Sequence, residues 1–385
     1  MAEENTSMDL FLTEEHQIFR DQIRRFCEAE IAPLVEEAEE TETFPKGLFP
    51  MMGKLGYLAV RYPEEYGGAG VDKLTDVILR EEMSRVCQGI ASSWSSHSHL
   101  TTFPIYHGGT EDQKQRYLVP AIKGEKIGGF ALSEPNSGSD VKSVESFAKK
   151  EGNHYILNGS KTFITNAPIA DFLTTVAYTD KSHGYKGISI FIVDCNTPGL
   201  TITKLRKEGI RSSETGEVAF EDCPVPEENL IGLQEGDFKL VMVNLSEGRI
   251  GVAGNMIGVA QAAYEASLRY AKERVQFGKP IGKFQAISHK IADMAVQIQA
   301  ARLMVYAAAK KLDMGVDSIL DASATKLFAS EVAVKTAREA VQIFGGYGFM
   351  REYPVFRYLR DALVYTVGEG TSEIQRNIIA KQIGL

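Results

Sequence analysis

Apolar positions along the chain fall into three successive regimes. Up to about Gly124 they recur at three- and four-residue intervals. Thr13 reads as an N-cap, Glu14 and Glu15 fill the first turn, and Phe19, Ile23 and Phe26 share one face. Pro33 interrupts the pattern and predicts a bend or restart, because proline removes an amide donor and crowds the preceding turn. Further helices are predicted over 45–57 and 75–85, separated by a Pro- and Gly-rich loop at 63–70. Residues 1–124 are therefore expected to form a helical domain.

From about Ile127 the period shortens to two. Segments 172–179, 188–193, 200–205 and 217–221 read as strands, and Asn158-Gly159 between two β-prone runs predicts a hairpin turn. A β domain, sandwich or barrel, is expected over 125–234. Helical periodicity returns from Asp237 and defines a third domain, 235–385. Gly251, Gly254, Gly258 and Ala262 form a stripe of small residues that permits close helix approach. Ile287, Ile291, Met294, Ile298, Ala301 and Val305 repeat on a second helix. Leu327, Val334 and Val341 lead into Gly345-Gly346, a helix stop. A charged helix is predicted over 354–362, and Ser372-Glu373-Ile374-Gln375 has the spacing of a capping box. The pattern is that of a four-helix bundle. The fold class is multidomain α+β: helical domain, β-barrel or sandwich, helical bundle.

At 385 residues the chain exceeds one simple core, and 44% apolar with 24% charged residues describes a globular protein. A net charge of −9 argues against nucleic acid as a partner. No run approaches the roughly 18 apolar residues of a membrane span. Cys27, Cys87, Cys195 and Cys223 are scattered, which predicts reduced thiols and neither disulfides nor a metal site. His97 and His99, two apart, do not share a helix face, so no metal is expected there either. The acidic, polar N-terminus is unlike a signal or transit peptide, and a cytoplasmic location is the expectation.

Candidate chemistry is concentrated in the last third. Val367-Gly368-Glu369-Gly370-Thr371 holds one carboxylate between two glycines, on a short link between helices. Desolvation there would raise its pKa toward neutrality and suit it to act as a general base. A second candidate is Phe130 to Asp140, a strand end entering a hydroxyl-rich loop. Its N–H and O–H groups could serve the polar edge of a flavin or a phosphate. Phe163-Ile164-Thr165-Asn166 offers an aromatic platform with a hydroxyl two residues on.

Together these stretches resemble the acyl-CoA dehydrogenase family. Ala131 to Ser143 (ALSEPNSGSDVKS) looks like one family signature and Gln342 to Asp361 (QIFGGYGFMREYPVFRYLRD) like a second. FITN at Phe163, SEGR at Ser246, RVQF at Arg274 and GEGTSEIQR at Gly368 fall in family order. The resemblance implies FAD, bound non-covalently between subunits of a homotetramer that is a dimer of dimers. It implies that Phe130, Leu132, Ser133, Phe163, Ile164 and Thr165 line the flavin. Arg274, Phe277 and Gln285, with Gln342, Gly345 and Gly346 from another subunit, would hold the pyrophosphate and adenosine end, with Thr371 and Glu373 also near FAD. Ser139, Arg249 and Gly370 would meet the CoA thioester. Glu369 would be the base in α,β-dehydrogenation to a 2,3-enoyl-CoA within acyl-CoA catabolism, with electrons passing to an electron-transfer flavoprotein. The alternative is a flavin oxidase on the same scaffold, of nitroalkane or acyl-CoA oxidase type.

Three positions depart from or distinguish family patterns. Isovaleryl-type members carry the base directly before the residue matching Arg249, where this chain has Gly248, and adjacent Glu247 is turned about 100° away on a helix. Gly368 stands where the family usually has Tyr, which predicts a wider pocket beside the base for a branched or cyclic acyl group; a short- to medium-chain substrate is the expectation. Glutaryl-type members place an Arg where Ala91 stands, so a dicarboxylic substrate is not expected from this comparison. Trp94, Ser95 and His99 are expected near the acyl end.

Overall fold

The computed structural model describes residues 11–232, 236–316 and 319–385. The N-terminal stretch and the expected domain boundary at 234/235 lie outside the described residues. The first unit is helical: α1 (Glu14–Phe26), α2 (Val35–Thr41), α3 (Leu48–Lys54), α4 (Lys73–Val86), α5 (Gln88–Ser95), α6 (Thr102–Gly108), α7 (Glu111–Gln113) and α8 (Val119–Ile122). Thr13 caps α1, its hydroxyl accepting from the His16 amide while His16 Nδ1 accepts from the Thr13 amide. Pro33 lies in a 3-10 turn, Ala32–Leu34, after which the chain restarts as α2. Between α5 and α6, Ser96–Thr101 forms a π-helical turn.

The middle unit is one eight-stranded sheet: β1 (Gly128–Ala131), β2 (Phe147–Glu151), β3 (His154–Thr165), β4 (Phe172–Tyr178), β5 (Ile188–Asp194), β6 (Leu200–Lys204), β7 (Thr215–Pro226) and β8 (Leu230–Ile231). The order is β6-β7-β3-β2-β4-β5-β8, with β1 parallel to β4. Asn158-Gly159 is not the expected hairpin turn. β3 runs straight through it, the β2–β3 turn falling at Gly152-Asn153 instead. The register shifts between Leu157 and Gly159; Gly159 takes φ +141, and a Cβ there would lie 2.4 Å from Ser146 Oγ. The dipeptide thus serves a bulge, which also needs an unusual backbone.

The third unit contains α9 (Phe238–Glu273), a short hairpin of β9 (Val275–Gln276) and β10 (Lys279–Pro280), then α10 (Gln285–Asp313), α11 (Ile319–Phe344), α12 (Val355–Val367) and α13 (Ser372–Gln382). α11 stops before Gly345, which takes φ +61 and opens a 3-10 turn. The last helix is capped by Thr371, whose hydroxyl accepts from the Ile374 amide, and not by Ser372 as its sequence spacing predicted. Gln375 instead points back across the turn. Among the described residues no helix is long and apolar enough to cross a membrane.

The glycine stripe of α9 faces α4. A Cβ at Gly254 would touch Val77 Cγ1 at 3.2 Å, and one at Gly258 would lie 2.1 Å from the Glu81 carbonyl. Glycine lets the two backbones approach at a distance that any side chain would forbid. Gly258→Ala is expected to destabilise the protein by about 1–3 kcal/mol through overpacking. A thermal melt matching that of the unaltered chain would show that the helices can separate without loss.

Candidate active site

Glu369 sits on the link between α12 and α13 with φ +53, a left-handed backbone that costs a non-glycine residue on the order of 1 kcal/mol. The turn is held from two sides. Gln375 Nε2 donates to the carbonyls of Glu369 (3.2 Å) and Gly370 (3.0 Å), and Lys326 Nζ from α11 donates to the Gly370 carbonyl at 2.7 Å. Gly370 takes φ +91, and a Cβ there would lie 2.7 Å from Gln375 Nε2.

The clamp aims the Glu369 side chain inward at α9. Oε2 is shut off from solvent and has no hydrogen-bond partner among the described residues. It lies where a Cβ on Gly248 would come within 2.7 Å, so the missing side chain on α9 is what makes room for the acid. Burial is the dominant influence and pushes its pKa above the usual carboxylate range. Arg80, Lys326, Arg249 and Lys73 oppose that rise from a distance. Arg249, buried on α9, has its Nε unpartnered, and burial lowers its pKa while Glu369 works to raise it. Glu247 is turned away, pairing with Arg61 at 2.7 Å. The Glu369 amide makes no hydrogen bond among the described residues.

A second group lies on the sheet. The loop after β1 is fixed to β3 by a buried ion pair, Lys161 Nζ to Glu134 Oε1 at 2.6 Å, and Glu134 also accepts from the amides of Glu145 and Ser146. The Thr162 amide donates to the Ser133 carbonyl at 2.9 Å, so the 130–133 and 163–165 segments lie side by side. Phe130 and Ile164 are buried, Leu132, Ser133 and Thr165 half-buried. Phe163, at φ +60, presents its ring to the outside with 73% exposure. Ser139 is exposed on the same loop.

A third group lies at the far end of the bundle. Arg274, Phe277, Gly345, Gly346 and Tyr347 line a cleft of about 590 Å³, with the Arg274 guanidinium 5.5 Å from the Tyr347 ring centroid. Both sets that the resemblance assigned to different subunits, that of Arg274 and that of Gly345, therefore meet within one chain. Gln285 and Gln342 are exposed at the starts of α10 and near the end of α11 but are not part of the cleft lining. Thr371 is the cap of α13, and Glu373 is exposed in its first turn.

Sequence reasoning missed Lys326, Gln375, Lys161 and Glu134. Lys326 and Gln375 act through carbonyls, which leave no residue-type signature. Lys161 and Glu134 are 27 residues apart, joined only by strand pairing.

Comparison with known proteins agrees with this layout. Residues 13–125, 129–223 and 236–384 match the family models for the N-terminal, middle and C-terminal domains of acyl-CoA dehydrogenase. A short-chain specific acyl-CoA dehydrogenase of Clostridium acetobutylicum is 44% identical over 98% of this chain and 100% of its own length. The solved butyryl-CoA dehydrogenase of Megasphaera elsdenii superposes with a TM-score of 0.93 at 43% identity, covering 97% of this chain and 98% of that one. A chain from a structure described as the electron transferring flavoprotein of Acidaminococcus fermentans, towards a mechanism of flavin-based electron bifurcation, gives 0.95 at 43%, covering 98% and 100%. With three successive domain models matched along nearly its whole length, the chain belongs to the acyl-CoA dehydrogenase family and is an oxidoreductase of its three-domain fold.

Proposed function

We propose that this acyl-CoA dehydrogenase uses Glu369 as the base in α,β-dehydrogenation of a short- to medium-chain acyl-CoA, yielding the 2,3-enoyl-CoA. The observation that carries the proposal is the Glu369 carboxyl on a clamped left-handed turn, the residue half-buried and its Oε2 sealed from solvent with no partner among the described residues. A carboxyl with no hydrogen bond to lose and a pKa raised by burial is poised to take a proton near neutral pH. The free Glu369 amide suits the thioester carbonyl, where it would stabilise charge developing at oxygen. Arg249 adds an unpartnered cation beside the acid.

The residues present fit FAD. Phe163 offers an exposed ring beside Ser133 and Thr165, and Arg274 brings a guanidinium, which pairs with phosphate oxygens, to a cleft lined by Phe277, Tyr347 and two glycines. When bound, FAD would supply the hydride acceptor for the β-hydrogen. Lys326, which clamps the Glu369 turn, lies about two turns into α11, and Phe344, which lines the cleft, ends it. The helix between them is roughly 27 Å long. One extended cofactor serving both places is best accounted for by two copies, one offering the acid and another the cleft. The exposed apolar rim of Phe277, Phe349, Val275 and Met350 suits burial in such an assembly, which the tetramer would provide. At Gly368 a Cβ would meet the Val364 carbonyl at 3.3 Å and the Tyr365 ring at 3.9 Å, so the glycine there spares a contact with α12. Electron-transfer flavoprotein is the acceptor in this reading, in view of the description of one close structural relative. Oxygen consumption matching turnover would point to an oxidase instead.

Glu369→Gln is expected to retain FAD and abolish anaerobic bleaching of the flavin by acyl-CoA. Full bleaching by that variant would remove the assignment. Because the base works ionised, the rate of bleaching should fall as pH drops through an apparent pKa above the free value of about 4.3. A lower limb at the free value would count against burial of the acid in the working enzyme. Arg274→Glu should purify largely colourless while keeping its helical content, and full yellow colour in that variant would move the cofactor elsewhere.

A further inference from the structure

α4 carries three charges into the interior. Lys73, Asp76 and Arg80 share one face of the helix and are 0%, 3% and 1% exposed. Lys73 Nζ donates to Asp76 Oδ2 at 2.7 Å, and Arg80 Nε donates to both Asp76 oxygens at 3.1 Å. The other edge of the guanidinium differs. Nη1 donates to Ser95 Oγ, the plane lies 4.9 Å from the Trp94 ring, and Nη2 makes no hydrogen bond among the described residues.

His99 stands beside this group in the π-helical turn Ser96–Thr101, close enough to feel Lys73, Arg80 and Arg61. Its Nε2 is sealed from solvent with no partner. Within ion-pair distance Arg61 meets Glu247 while Lys73 and Arg80 share Asp76, which leaves a local surplus of one cation that Glu369 feels only from a distance. A surplus buried charge with a free donor edge is costly unless something anionic joins it.

The position of this surplus gives it meaning. On α9, a Cβ at Gly248 would touch Glu369 Oε2 at 2.7 Å and Leu100 Cδ2 at 3.4 Å. A Cβ at Gly251 would touch the Arg80 guanidinium carbon at 2.7 Å. Those two glycines are three residues apart on one helix face, about 4.5 Å of rise. The acid and the guanidinium therefore border neighbouring steps of the same small-residue wall. We propose that the acyl slot ends on Arg80, with His99 and Ser95 beside it, and that the acyl group it takes carries a carboxylate at its far end. This rests on Glu369 being the base. The absence of an Arg at Ala91 does not exclude such a substrate, because here the cation arrives from α4 instead of α5.

The test is anaerobic flavin reduction of the FAD-loaded enzyme by glutaryl-CoA and adipyl-CoA against chain-matched valeryl-CoA and hexanoyl-CoA. The carboxylated members should lead in kcat/KM by about 100-fold. Arg80→Met should reverse that ratio by weakening the carboxylated substrates far more than the plain ones. Equal loss on both kinds in a yellow, folded variant would make Arg80 a structural ion-pair partner and end the proposal. Should Arg80→Met fail to fold, His99→Leu and Ser95→Ala should each lower the ratio, and a ratio unmoved by both would be equally fatal. Preference of the unaltered enzyme for valeryl-CoA overturns the carboxylate but leaves Glu369 in place. Failure of every thioester to bleach the flavin would overturn the reading of Glu369 itself, and the proposal with it.

Discussion

A carboxyl group with one oxygen sealed from water and given no partner is the constraint around which this active site is built. Left alone, Glu369 would turn outward, where water solvates it at no cost. Three features prevent that. The left-handed backbone at Glu369 sets the direction of the side chain. Gln375 and Lys326 hold the carbonyls on either side of the turn. Gly248 leaves the space into which the carboxyl goes. Restoring a side chain at Gly248 would fill that space, so acid on the link and side chain on the helix exclude one another.

The same economy of small residues couples packing to chemistry along α9. Its glycines bring α4 within backbone distance, and α4 in turn delivers Arg80 and Lys73 to the interior. These cations oppose the effect of burial on Glu369 without touching it. The acid is therefore tuned by a contest between desolvation, which favours the neutral form, and a distant positive field, which favours the anion. Desolvation prevails, and the field limits how far.

The sheet contributes a platform whose rigidity has its own source. Lys161 and Glu134 are buried as a pair, and two amides of the returning loop also donate to the carboxylate, Ser146 to the oxygen that meets Lys161 and Glu145 to the other. A buried pair of this kind stabilises little in itself, because desolvation offsets most of its attraction, but breaking it would leave a bare charge. Its value is register: Ser133 and Thr165 are held side by side, with the Phe163 ring outward.

Much of this was legible in the chain itself. The change of period from helical to two and back to helical marks out three units, because burying one face of a helix or strand imposes its own repeat on the residues. Glu369 between two glycines was readable because only a special backbone needs such neighbours. Other features depended on partners far away in sequence. Asn158-Gly159 has the composition of a turn, yet strand pairing with β7 makes it a bulge. Ser372 has the spacing of a cap, yet the turn geometry gives that role to Thr371. Nothing in the sequence marks out Lys73, Asp76 and Arg80, since a sequence does not say which side of a helix is covered. Only the approach of α4 to the glycines of α9 turns that face inward, and with it the charges that now border the acid.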